Sequence, residues 1–263
     1  MKTSTAFVSI VASVLMTTIA FSPLATLATA DDVGKASPKK TQTKPTPNRN
    51  AKPKKVNPAF QPPVAVQGLP NVLLIGDSIS IGYMVDVRKQ LEGVANVYRP
   101  ATNCGPTTRG LESIDAWIGD RKWDVIHFNF GLHDLKFMGP SGKNLADPNA
   151  ATSHRQVPID QYADNLRKIA ERLKATGATV IWRETTPVPE GAAGRIPDDA
   201  KRYNDAAAKV MAEVGGIQID PMYDFATEHA DLQLKANVHY TPAGSKKLAE
   251  QVAKSVRSAL EKK

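Results

Sequence analysis

The 263-residue sequence contains one cysteine, Cys104, and only 6% aromatic residues. With a single cysteine, no intrachain disulfide can form, even in an oxidising compartment. No cluster of His, Cys, Asp and Glu has the spacing of metal ligands, and no glycine-rich phosphate loop follows a candidate strand. The sequence also has no internal repeat. We therefore expect neither a metal ion nor an organic cofactor.

A clean apolar run of about 18–20 residues, the length that crosses a bilayer, is also missing. The apolar stretch from Ala6 to Leu24 is interrupted by threonine, serine and proline, follows the basic Lys2 and leads to Ala28-Thr29-Ala30. This pattern predicts a signal peptide over residues 1–30, cleaved after Ala30, and favours it over an uncleaved membrane anchor. We expect a secreted, periplasmic or cell-envelope protein with no stable membrane insertion after cleavage.

Residues 31–65 are rich in Pro, Lys, Thr and Asn and have few large apolar side chains. Such a segment buries too little surface to offset its ordering entropy, so we predict a disordered basic linker. It holds eight Lys or Arg and two Asp, a net +6 of the chain's +8. Lys2 adds one charge, which leaves +1 for residues 66–263. A basic surface for nucleic acid is therefore not supported, and the linker is either a solvated spacer or, less favoured, a tether to an anionic envelope.

The remaining residues, 66–263, suit one folded domain. Short apolar runs predict buried strands, and amphipathic patterns predict helices over 160–175, over 197–214 and after an N-cap at Thr241. The predicted strands are Asn71–Ile75, Val94–Tyr98, Asp124–Phe130, Ala178–Trp182 and Gly216–Ile219. This alternation predicts an α/β fold, with a parallel sheet of about five strands covered on both sides and a site at the carboxyl ends of the strands.

Two residues at such positions suggest nucleophilic catalysis. Ser78 lies in Gly76-Asp77-Ser78-Ile79-Ser80, directly after the first strand, where a tight turn can expose the hydroxyl and offer a backbone N–H to an oxyanion. Such residues also form ordinary turns and helix caps. His239 lies before the terminal helix and is the best placed of the histidines, because His127 falls in an apolar strand and His154 and His229 fall in polar stretches.

Together with a glycine block and a Gly-x-x-Asp block, these motifs resemble the SGNH/GDSL hydrolases over about residues 70–250. The resemblance implies a three-layer α/β/α flavodoxin-like fold, with Ser78 as the nucleophile and His239 as its base. It also implies an oxyanion hole formed by the Ser78 N–H, a glycine N–H and an asparagine side chain. The glycine matches Gly105 best, with Gly110 as the alternative. Cys104, beside it, is interpreted as a packed small residue.

The sequence departs from the family at two positions. In Gly131-Leu132-His133-Asp134, His133 stands where the family has asparagine, although a neutral imidazole can still donate one N–H to the hole. Ala236 occupies the usual position of the triad aspartate, three residues before the histidine. Asn237, a backbone carbonyl or the distant Asp220 are the candidates to orient the imidazole.

The other polar residues at strand ends are given supporting parts. Asn129 and Thr186 are predicted to line the substrate pocket. Asp77 and Asp134 are predicted to fix loops rather than to react.

The resemblance implies a serine esterase. Together with the predicted export and the absence of an obvious long apolar lid, it leads us to expect a secreted enzyme that hydrolyses short acyl esters, such as acetyl esters, on a small molecule or a polysaccharide. Hydrolysis of lipid or lysophospholipid esters is an alternative. A second is a catalytically silent SGNH-like domain that binds envelope glycan, since a missing triad carboxylate can cost about 10⁴ in rate. A third, a flavodoxin-like nucleotide or flavin binder, lacks a phosphate loop.

Overall fold

The computed structural model describes residues 56–262. The predicted signal peptide and residues 31–55 of the predicted linker lie outside the described residues. Within residues 56–262, no helix is both long enough and apolar enough to cross a membrane.

The described residues form one parallel sheet, a short antiparallel pair of strands and the helices that flank the sheet. The sheet strands are β1 (Asn71–Ile75), β2 (Asn96–Tyr98), β3 (Val125–Phe128), β6 (Thr179–Arg183) and β7 (Gln218–Asp220). The antiparallel pair is β4 (Phe137–Met138) and β5 (His154–Arg155). The helices are α1 (Ser78–Gln90), α2 (Thr107–Ile118), α3 (Ile159–Lys174), α4 (Asp199–Val214), α5 (Met222–Glu228) and α6 (Pro242–Glu261).

The strand order is β2-β1-β3-β6-β7, and every neighbouring pair is parallel. The chain runs outward from β1 to β2 and then returns across β1 to β3. Because such crossovers are right-handed, α1 lies on one face of the sheet and α2, α3 and α4 lie on the other. In agreement, α1 packs against α6, while α3 packs against both α2 and α4. The predicted α/β fold with five parallel strands is confirmed.

Apolar periodicity accounts for the layers. In α3, the predicted stripe of Tyr162, Leu166, Ile169 and Leu173 is fully buried. The last helix begins as predicted, since the Thr241 hydroxyl accepts a hydrogen bond of 3.0 Å from the N–H of the residue three positions on. The apolar stripe therefore determines which face of α3 is buried, and the Thr241 cap determines where α6 begins.

The predicted linker, residues 31–65, includes residues that belong to the ordered domain. Pro58–Phe60 form a 3₁₀ helix that packs against α1, and Ala59 is only 1% exposed. Arg88 donates to the Pro58 carbonyl at 3.1 Å, and the Arg99 guanidinium lies 5.5 Å from the centre of the Phe60 ring. The short Ala-Phe pair supplies the apolar surface that the rest of the linker lacks, so the ordered domain begins before residue 66.

The sheet order reverses between β1 and β3, and this reversal positions the site. At such a switch point, the loops leaving the two strands diverge to opposite faces and leave a crevice at the carboxyl edge. The Ser78 turn follows β1, and the loop carrying His133 follows β3. The crevice therefore lies where two of the predicted catalytic segments meet.

Candidate active site

Ser78 is the first residue of α1. Asp77 caps the helix, and its Oδ1 accepts a hydrogen bond of 3.0 Å from the Ile79 N–H. A first-turn N–H has no acceptor within its own helix, so the Ser78 N–H remains available for a developing oxyanion. Gly76 allows the tight turn because a Cβ there would lie 2.9 Å from the Ser80 side chain.

A buried arginine that the sequence reasoning missed braces this turn. Arg99 follows β2 directly and donates to the Gly76 carbonyl at 3.2 Å and to the Thr102 carbonyl at 3.1 Å. It also donates to the Ser80 hydroxyl at 3.1 Å. One guanidinium thus joins the Ser78 turn to the loop after β2. Its position at the end of a strand is the only signal for it in the sequence.

His239 lies between Ser78 and Asn237. Its Nε2 is 2.8 Å from the Ser78 Oγ, and its Nδ1 is 2.7 Å from the Asn237 Oδ1. The same Oδ1 accepts the backbone N–H of His239 at 3.0 Å, which identifies it as the amide oxygen. The Nδ1 must therefore donate, and in the neutral ring the Nε2 must accept the serine proton. The three side chains form a Ser-His-Asn relay.

The structure places the alternative acid elsewhere. Asp220 is fully buried, and its carboxylate oxygens pair with His127 Nε2 at 2.9 Å and with Gln251 Nε2 at 2.7 Å. His127 is a core residue, as predicted, and the Asp220 carboxylate pairs with it and not with His239. Asn237 is thus the group that orients His239.

The two candidate glycines differ sharply. Gly105 has φ +65°, and its N–H donates to the Asn103 side-chain oxygen at 3.0 Å. Gly110 lies inside α2, where its N–H donates to Pro106 at 3.1 Å and a Cβ would meet Phe130 at 2.8 Å. Gly110 is therefore a helix-packing residue. Gly105 is the glycine near the site, but its N–H is already engaged by Asn103, which lines the pocket.

His133 also lines the pocket, and a lysine fixes its ring. The Lys136 Nζ lies 3.5 Å from the His133 Nδ1. An amine of this kind donates, so the Nδ1 accepts and the proton of the neutral ring lies on Nε2. Burial lowers the pKa of His133; the negative charge of Asp77 opposes this shift, and the positive charge of Lys136 adds to it. The lowered pKa favours the neutral ring, whose Nε2–H can donate.

Asp134 joins the loop after β3 to the start of α2. One of its oxygens accepts both the N–H of Thr107, at 2.8 Å, and its hydroxyl, at 2.5 Å. Complete burial raises the pKa of Asp134 to about 7. The residue fixes two loops relative to each other and is not in the pocket lining, which agrees with the supporting role predicted for it.

The catalytic candidates open into one pocket of about 390 Å³, which Ser78, His133, Asn237 and His239 help to line. Asn129 and Thr186 were predicted to line it, and this prediction is wrong. Both are buried and absent from the lining. Asn129 continues the sheet pairing, with its N–H on the Ile75 carbonyl at 3.0 Å, so its amide stays in the core and contacts Arg183 and Thr185.

Cys104 is fully buried, and burial raises the pKa of its thiol to about 11. The thiol is therefore unsuited to nucleophilic attack. This confirms its interpretation as a packed small residue.

A five-stranded parallel sheet with helices on both faces matches solved structures of SGNH hydrolases. Over residues 74–247 the sequence matches the GDSL-like Lipase/Acylhydrolase family. The match spans more than half of the chain, and the protein belongs to this family of enzymes, which act on esters. This confirms the predicted family and class of enzyme.

Relatives and solved structures agree. A GDSL esterase/lipase of Arabidopsis thaliana is 30% identical over 180 residues, covering 53% of this chain and 74% of the relative. The lipase/acylhydrolase from Enterococcus faecalis has a TM-score of 0.56 at 17% identity, covering 72% of this chain and 96% of that one. An acetylxylan esterase from Geobacillus stearothermophilus has a TM-score of 0.56 at 16% identity, covering 71% and 94%.

The hydrogen bond between Asn103 and Gly105 leads to a kinetic prediction. The Gly105 N–H can donate to the oxyanion only after its hydrogen bond to the Asn103 side chain has broken. Removing one neutral hydrogen bond of about 1 kcal/mol in Asn103→Ala should raise kcat for a simple ester up to about fivefold. Steady-state kinetics on p-nitrophenyl acetate measures this. A tenfold fall in kcat would instead show that the Asn103 amide itself contributes to catalysis.

Proposed function

We propose that the protein is an exported serine esterase that removes short acyl groups, acetyl above all, from a small-molecule or carbohydrate alcohol. The relay of Ser78, His239 and Asn237 carries this proposal, since its two bonds of 2.8 and 2.7 Å point the proton of the serine hydroxyl toward a free imidazole nitrogen. No other residue type is needed to activate the hydroxyl for attack on an ester.

In the proposed reaction, the Ser78 Oγ attacks the ester carbonyl carbon while His239 Nε2 takes its proton. The carbonyl oxygen becomes an oxyanion that accepts hydrogen bonds from the Ser78 N–H, from the His133 Nε2–H and from the Gly105 N–H once Asn103 has moved. His239 then returns the proton to the departing alcohol oxygen. Water cleaves the acyl-enzyme with the same base and restores Ser78.

The pocket supports short acyl groups over long lipid chains. Its apolar part is made by small side chains, among them Ala192, Ala193 and Ala236, and by the larger Leu145 and Val238. The remaining lining is the Ser78 hydroxyl and amide, imidazole or cationic groups, so polar groups interrupt the apolar surface that a long acyl chain would need. The acetylxylan esterase among the solved structures with this fold supports acetyl as the acyl group.

A direct test compares acyl-chain lengths with the nucleophile present and absent. Purified wild type should hydrolyse p-nitrophenyl acetate and butyrate with a higher kcat/KM than the palmitate, and a fluorophosphonate probe should label it at Ser78. Ser78→Ala should lose both properties, with a fall of about 10⁴ or more in kcat. The matched control, Ser258→Ala on α6, should keep both.

The outcomes separate the alternatives. Absence of labelling and turnover in wild type would contradict the esterase proposal and favour a silent glycan-binding domain. A preference for the palmitate would favour a lipid esterase.

Export is proposed from residues 1–30 and from the basic segment that follows them. The mature protein, recovered outside the cytoplasm of an expressing cell, should begin at Asp31 when its N-terminus is sequenced. Recovery of a membrane-bound chain that keeps residues 1–30 would contradict cleavage and favour an anchor.

A further inference from the structure

We propose that Lys136 and Arg195 form an anion-binding subsite, so that the preferred substrate is an ester bearing a carboxylate or phosphate near the bond to be cleaved. This inference rests on the proposed function, since it names the substrate class of the same pocket. Lys136 lies just before β4, and Arg195 lies in the loop between β6 and α4. Both line the pocket together with Ser78 and His239.

Neither cation has an acidic partner. Among the described residues, no ion pair involves Lys136 or Arg195, and no Asp or Glu lines this pocket. Two buried acidic residues influence them electrostatically: burial lowers the pKa of both cations, and Asp77 partly offsets this at Arg195, as Asp134 does at Lys136. Asp77 caps α1 with its Oδ1, and Asp134 is engaged by Thr107. Both carboxylates are buried behind the lining, so the charge that the pocket presents to a ligand is positive.

Burial makes this positive charge costly. Lys136 is only 8% exposed and Arg195 is half-buried, and desolvation lowers the pKa of both. A buried charge without a counterion is unfavourable, and natural proteins keep such charges paired unless a ligand completes them. A bound anion would supply the missing counterion.

The contacts of Arg195 hold it ready for such a ligand. Its Nε donates to the Leu132 carbonyl at 3.1 Å, and its Nη1 donates to the Ala193 carbonyl at 3.4 Å. No partner for its Nη2 occurs among the described residues. Two backbone carbonyls thus fix the plane of the guanidinium while donors stay free, and guanidinium groups bind carboxylate and phosphate with directional, charge-assisted bonds.

The absence of a carboxylate from the relay also favours an anionic substrate. When His239 takes the serine proton, it becomes positive, and Asn237 offers it a dipole where a carboxylate would offer a charge. An equal negative charge develops on the ester oxygen at the same time, so the charges of Lys136 and Arg195 stay uncompensated. An anionic group on the substrate would supply that countercharge, whereas a neutral ester would not.

The test compares acetyl esters that differ in charge: 4-acetoxybenzoate and its neutral isostere 4-acetoxybenzamide. The ratio of their kcat/KM values is measured in wild type, Arg195→Gln, Arg195→Lys and Lys136→Gln. Since every variant meets the same two esters, differences in intrinsic reactivity cancel from the change in ratio, as do effects of Lys136 acting through His133. Arg172→Gln, which removes an equal charge from an exposed ion pair with Asp115, is the control.

We expect Arg195→Gln and Lys136→Gln each to lower the ratio about tenfold, the effect of one charge-assisted hydrogen bond. Arg195→Lys should keep most of it, and Arg172→Gln should leave it unchanged. Ratios within twofold of wild type in both glutamine variants would overturn the proposal. With 4-acetoxyphenyl phosphate as a third ester, a larger effect on the phosphate than on the carboxylate would assign the subsite to phosphate, and the reverse would assign it to carboxylate.

Binding separates this inference from the esterase proposal. Calorimetric titration of Ser78→Ala with 4-acetoxybenzoate reports the anion site even if wild type proves inactive. We expect measurable binding that weakens about tenfold when Arg195→Gln is added. Equal affinity for 4-acetoxybenzoate and 4-acetoxybenzamide would reject the anion subsite, whatever the activity of wild type.

Discussion

One amide oxygen governs the chemistry of this site. The Asn237 Oδ1 accepts the backbone N–H of His239 and also its ring Nδ1–H, so it holds the ring in place and selects its tautomer at the same time. The opposite ring nitrogen is thereby left as an acceptor, 2.8 Å from the Ser78 hydroxyl. An aspartate would add charge stabilisation to this arrangement, but orientation alone survives with asparagine.

The fold brings the parts of this relay together from distant positions in the chain. The switch point between β1 and β3 opens the crevice, Arg99 braces the Ser78 turn, and Asp134 ties the loop after β3 to the start of α2. The uncharged relay is matched by a pocket whose charged lining groups are both positive, Lys136 and Arg195. The relay has no carboxylate, and in the proposed subsite an anionic group on the substrate would bring negative charge to the pocket instead.

Much of this could be predicted from local patterns. The apolar runs located the strands, the 3.6-residue stripe located α3, and the turn after β1 singled out Ser78, because each feature is written in consecutive residues. Side-chain direction beyond a strand end is not local. Asn129 was predicted to face the pocket, yet continued pairing with β1 keeps it in the core. Contacts between separate loops, such as that of Arg195 with Leu132, leave no pattern in the sequence at all.

Asn237 fixes His239 as the tautomer that can accept the serine proton, and ¹⁵N NMR of the imidazole reports this tautomer. At a pH where the ring is neutral, His239 in wild type should be protonated on Nδ1 and unprotonated on Nε2. In Asn237→Ala, this preference should weaken to a mixture of tautomers. A ring protonated on Nε2 in wild type, or a tautomer ratio that Asn237→Ala leaves unchanged, would show that Asn237 does not select the tautomer.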